Sequence, residues 1–111
     1  MCIRDSLKQE LFIIAILDNK HRFLSEKTVT VGLLNRSLVH PREVFAEAIE
    51  QRAAAIICIH NHPSGDSSPS EEDKRITRRL QESGELLGIP LLDHIIISKE
   101  DFTSFADEGW L

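Results

Sequence analysis

The sequence predicts a three-layer α/β or α+β domain, on three observations. Short, strand-length apolar runs recur along the chain, of which "AAAIICIH" is nearly continuous, as in a central strand covered on both sides. Two longer stretches with apolar residues at helical spacing alternate with these runs, the pattern of helices packed on a sheet. The length, 111 residues, suits one small domain with one modest core.

The elements follow in order. "MCIRDS" has no periodicity and is expected to be a disordered or non-native leader over residues 1–6, with the domain occupying 7–111 and the fold beginning near Leu7. "ELFIIAILD" predicts a buried strand, and "NKHR" a turn with His21 in it. "RFLSEKTVTVG" predicts a second strand, hairpin-paired to the first and ending at Gly32. In "HPREVFAEAIEQRAA", His40 belongs to a helix entry and Pro41 suits the first turn. Val44, Phe45, Ala48 and Ile49 fall on one face of that helix. After the strand "AAAIICIH", "PSEEDKRITRRLQESGELLG" predicts a second helix with Ile76, Leu80, Ser83 and Leu87 along a stripe and Gly88 and Pro90 as its stop. "LLDHIIIS" is a further strand, and "FTSFADEGWL" adds a short edge strand.

Composition excludes several classes. No apolar run approaches the roughly 18–20 residues of a membrane span, and no secretion signal opens the chain, so a soluble cytoplasmic protein with no membrane partner is expected. Of the two cysteines, Cys2 and Cys58, the second lies in an apolar run and is expected to be a buried reduced thiol. The net charge of -5 argues against a nucleic-acid partner, because phosphate binding needs a basic face. "KRITRR", Lys74 to Arg79, follows an acidic first turn, the charge order of a solvated helix face.

The informative stretch is "HNHPSGDSSPSEED", His60 to Asp73. His60 and His62 are two apart where a strand ends, so both rings can point to one side. The turn brings Asp73 back in the first turn of the next helix. Two imidazoles and a carboxylate can hold zinc, with nitrogens at roughly 2.0–2.1 Å, and leave a fourth position open for water. The same letters also read as a capping box, with Ser70 at the N-cap and Asp73 three residues on, which needs no metal. Spacing alone leaves both readings standing.

The full order, His-x-His, seven residues, Ser, two residues, Asp, resembles the JAMM motif of the JAB/MPN metalloprotease family. "HPREVFAEAI", "HNHPSGDSSPSEED", "LLGIPLLDHIIIS" and the "SF…G" ending resemble the bacterial RadC branch, from about Glu10 to the end. The resemblance implies a mixed β-sheet flanked by helices, with a cytidine-deaminase-like core. It implies Zn2+ held by His60, His62 and Asp73, with Ser70 bonding the reacting oxygen and Glu10, just ahead of the first buried strand, as general base. Zinc lowers the pKa of water toward about 7, and a nearby carboxylate can take the proton released. Glu43 is the substitute base, against its reading as a first-turn acid that complements the helix dipole. Asp93 and His94 are candidates for orienting a ligand histidine.

Rival chemistries lack their residues. In HNH nucleases the three letters are spread along a ββα unit, a zinc deaminase expects H-x-E and P-C-x-x-C, and a serine hydrolase expects G-x-S-x-G. The expected activity is zinc-dependent cleavage of a peptide or isopeptide bond in a peptide or protein substrate. The alternative is a metal-holding MPN interaction module without turnover, in a protein associated with DNA repair or recombination. A helix-hairpin-helix segment precedes the domain in longer members of the branch this chain resembles.

Overall fold

The computed structural model describes residues 10–31, 39–62 and 66–111. The described elements are β1 (Leu11–Leu17), β2 (Phe23–Val31), α1 (Pro41–Glu50), β3 (Ala55–Asn61), α2 (Glu71–Leu87), β4 (Leu91–Ile97) and β5 (Phe102–Ser104). The expected leader, the start near Leu7 and the end of the second strand at Gly32 lie outside the described residues.

The strands form one mixed sheet in the order β2-β1-β3-β4-β5. β1 runs antiparallel to both β2 and β3, while β3 and β4 are parallel. A parallel pair needs a long crossover, and α2 supplies it. β5 closes the edge antiparallel to β4. The α+β fold with a mixed sheet and packed helices is thus as the sequence predicts.

Strand parity sets the core. Phe12, Ile14 and Ile16 of β1 are wholly buried and lie opposite His60, Cys58 and Ile56 of β3. Both helices add to the same cluster, α1 through Val44, Phe45 and Ala48 and α2 through Ile76 and Leu80. Cys58 is a free, fully buried thiol, and burial, aided by the charge of Asp93, pushes its pKa up. The β1–β2 turn is held by Asp18, whose Oδ1 accepts from the amides of Lys20 and Arg22, with His21 at φ 59°.

Two helical faces differ from the sequence reading. Ile49 is exposed, one residue before α1 ends, while Ala48 beside it stays in the core. In α2 the buried stripe runs through Asp73, Ile76, Thr77, Leu80 and Gly84, while Ser83 is half-buried and Leu87 exposed. Gly84 explains the rotation: the carbonyl oxygen of Ile89 lies 2.5 Å from where a Cβ would stand, so only glycine lets the chain fold back this closely. Gly88 then ends the helix at φ 76°, in the left-handed conformation of a glycine C-cap.

Candidate metal centre

The site lies where β3 ends and α2 begins, at the carboxyl end of a parallel strand. His60 follows the parity of Cys58 and faces the helices. His62 stands one residue past the strand, and its amide donates to the carbonyl of Ile97 at 2.8 Å, which keeps it in line with β4. The two rings therefore share a side, with centroids 4.8 Å apart and planes at 89°.

Asp73 comes from the opposite direction. Ser70 is the N-cap of α2: its hydroxyl oxygen accepts the Asp73 amide at 3.1 Å, and the Asp73 carboxylate accepts the Ser70 amide at 2.8 Å. The capping box aims the carboxylate at the histidines. Asp73 Oδ1 lies 3.3 Å from His60 Nδ1, and Oδ2 lies 3.0 Å from His62 Nε2. One ligand atom from each of the three residues falls within 4.8 Å of the others. The cap and the ligand readings of this stretch are therefore one arrangement. Residues 63–65 of the intervening turn lie outside the described residues.

The donor set fits a divalent cation. His60 is buried; its Nδ1 faces Asp73 Oδ1 at 3.3 Å without hydrogen-bond alignment, and its Nε2 has no partner among the described residues. A buried imidazole in that state is costly unless a cation takes its lone pair. His62 Nδ1 lies 2.9 Å from the carbonyl of Asp66 and must carry a proton to bond it. That leaves Nε2 facing the Asp73 carboxylate, where a proton or a metal has to sit between them.

The electrostatics agree. The hydrogen bond to Asp73 raises the pKa of His62; burial opposes this, and the Asp66 carbonyl and the charges of Asp73 and Glu10 reinforce it. Burial works to raise the pKa of Asp73, but His60, His62 and the Ser70 amide outweigh it and hold the carboxyl well below its usual range.

Glu10 stands immediately before β1, and its charge reaches His62. It is placed there by Asn61, a residue whose role the sequence reading missed: the Asn61 Oδ1 accepts the Leu11 amide at 2.5 Å. Glu43 is exposed in the first turn of α1, 3.7 Å from Arg42, and none of its described contacts reaches the histidines. His40 caps α1, its Nδ1 accepting from the Arg42 amide.

Asp93 and His94 differ from expectation, since neither bonds a ligand histidine among the described residues. The Asp93 carboxylate accepts from the amides of His94 and Ala106 and from the Ser104 hydroxyl, and so holds the C-terminal turn. His94 is fully buried and stacks on Phe105 at 4.7 Å. The Thr77 hydroxyl donates to the Asp73 carbonyl at 2.7 Å, and its oxygen accepts from His94 Nδ1–H at 2.5 Å. Thr77 was read only as part of a helix; its pairing with His94 depends on how α2 faces β4.

A small mixed-sheet domain with a His-His-Asp group between a strand tip and a helix cap defines a JAB-like domain. Residues 1–110 match the family model described as "RadC-like JAB domain", and the chain belongs to that family. Relatives share the name UPF0758 protein. One from Bacillus licheniformis is 54% identical over 105 residues, covering 95% of this chain and 47% of its own. One from Trichlorobacter lovleyi is 56% identical over 109 residues, covering 98% and 47%. One from Methanospirillum hungatei is 56% identical over 103 residues, covering 93% and 46%. The chain spans about half the length of these relatives. Among the described residues no helix is long and apolar enough to cross a membrane.

Proposed function

We propose that this domain is a JAMM-type zinc hydrolase that cleaves a peptide or isopeptide bond, with His60, His62 and Asp73 as the metal ligands. The observation that carries the reading is the buried His60, whose Nε2 has no partner among the described residues and whose Nδ1 faces the Asp73 carboxylate at 3.3 Å, beside a second histidine of fixed tautomer. Zinc in this group would acidify a water and polarise the scissile carbonyl. Glu10 takes the proton as the water oxygen bonds to the carbonyl carbon, then passes it to the amine as the C–N bond breaks. The Ser70 hydroxyl spends its oxygen lone pair on the cap, which leaves its O–H free to stabilise the developing oxyanion.

The test is metal content together with hydrolysis of an amide substrate by the purified protein, beside Asp73→Asn and His62→Ala. About one zinc per chain and turnover, both lost in the folded variants, support the reading. Zinc without turnover, and a variant that changes only partner binding, would instead mark an interaction module. The net charge of -5 favours a peptide over a nucleic acid as partner.

A further inference from the structure

A cleft of about 240 Å³ lies along α2 beyond Asp73, lined by Lys74, Thr77, Arg78 and Gln81 of the helix and by Phe105 and Trp110. The four helical residues occupy positions i, i+3, i+4 and i+7, one flank of α2. Thr77 lies one turn after Asp73, its hydroxyl bonding the Asp73 backbone carbonyl. The opposite wall is held firmly. The Trp110 amide donates to the Phe105 carbonyl at 2.9 Å, the two rings meet edge to face at 5.4 Å, and Asp93 secures the turn at Ala106.

The chemistry of this cleft is that of an anion site. Lys74 Nζ lies 5.8 Å from the centre of the Trp110 ring, and its ion pair with Glu71 at 3.8 Å is an exposed one of little strength. Arg78 forms no ion pair among the described residues. Arginine presents a fork that matches a carboxylate, while Gln81 adds a neutral polar group and the aromatic rings add apolar surface for methylenes.

We propose that this cleft is a subsite for a carboxylate-bearing side chain, so that a peptide held by the domain carries Asp or Glu about one turn of α2 away from the metal group. The proposal rests on the hydrolase reading above. A peptide is favoured over a nucleic acid because the chain is acidic and the cleft has room for one side chain, not a backbone track.

Trp110 is the sole tryptophan, so its fluorescence reports occupancy of the cleft without any turnover. The experiment titrates the protein with acetyl-Ala-Glu-Ala-amide, its Gln counterpart and a thymidine oligonucleotide, and repeats this with Arg78→Gln, Lys74→Gln and Asp73→Asn. The expected result is a saturable change with the Glu peptide, at least tenfold weaker with the Gln peptide and in both cation variants, and retained in Asp73→Asn. An equal response to the Gln peptide, no saturable response, or tighter binding of the oligonucleotide overturns the subsite. Hydrolysis by the zinc-loaded protein is read separately: Glu-peptide binding without cleavage overturns the hydrolase reading and leaves the carboxylate site standing.

Discussion

Asn61 holds Leu11: its side-chain oxygen accepts the Leu11 amide at 2.5 Å, tying the start of β1 to the strand tip that bears both histidines. The bond spans 50 positions of sequence and anchors the chain next to Glu10, whose charge reaches His62.

Asn61→Ala leaves the Leu11 amide without that acceptor, at a cost of about 1–3 kcal/mol. The melting temperature is expected to fall by several degrees. Because Asn61 positions Glu10 and ligates nothing, kcat on an amide substrate should fall while zinc stoichiometry stays near wild type. A loss of zinc in step with activity would show that Asn61 supports the histidines rather than the base.

In the proposed hydrolase, Ser70 serves the helix and the reaction with different parts of one hydroxyl. Asparagine caps about as well as serine, so Ser70→Asn should keep the melting temperature within about a degree. It removes the O–H donor, and kcat should drop roughly 10²- to 10³-fold. Ser70→Ala should show the same kinetic loss and an added destabilisation of about 1 kcal/mol. Thermal unfolding alongside steady-state kinetics separates the two roles; equal activity in Ser70→Asn and wild type removes Ser70 from the chemistry.

Asp73→Asn tests whether metal and fold are coupled. The asparagine oxygen can still accept the Ser70 amide at the helix cap, so the variant should fold. Zinc at about 100 times its dissociation constant stabilises a native state by about 2.7 kcal/mol. Scanning calorimetry with zinc and then with a chelator should therefore show a reversible rise in melting temperature for wild type and none for Asp73→Asn. A matching rise in the variant would place the ion elsewhere.

Much of this arrangement is legible in the letters because it is local. His60 and His62 share a side by strand parity, and Asp73 is fixed by the cap that Ser70 begins. Long-range placement is not legible. Asn61 looks like a spacer between histidines until β1 lies beside β3 and offers it the Leu11 amide. The sequence stripe through Ser83 and Leu87 fails because helical spacing gives a set of faces, and a close backbone approach at Gly84 selects among them. Asp93 fails for a related reason: it partners Ile57, on the strand face opposite His94, so its carboxylate serves the C-terminal turn.

Gly84→Ala sets two effects against each other. Alanine is better than glycine in a helix by about 1 kcal/mol. Here the new methyl would stand 2.5 Å from the Ile89 carbonyl oxygen, and the atoms to be moved are backbone. Overpacking of this kind costs about 1–3 kcal/mol, so the clash should win and denaturant midpoints should fall. A neutral or stabilising result would mean that the α2–β4 connection yields more easily than its geometry indicates.

His94 sets the acid limb of the metal-free protein. Burial lowers its pKa from 6.5 to about 3. Between those values the unfolded chain binds a proton that the folded chain refuses, so folding stability declines as pH falls through the window. One such proton gives a slope approaching about 1.4 kcal/mol per pH unit. The lowered Asp73 acts in the same direction, since its stabilisation is lost as pH falls through its folded value. The raised His62 opposes both, contributing stability at low pH that is lost as pH rises. His94→Phe keeps a ring stacked on Phe105 and leaves the Thr77 bond to the Asp73 carbonyl intact, while removing the proton site. Denaturant unfolding of chelated protein at several pH values from 7 down to 4 should thus show a flatter profile for the variant, with the gap widening below about 6.5. Parallel profiles would mean that the buried imidazole already accepts its proton in the folded state.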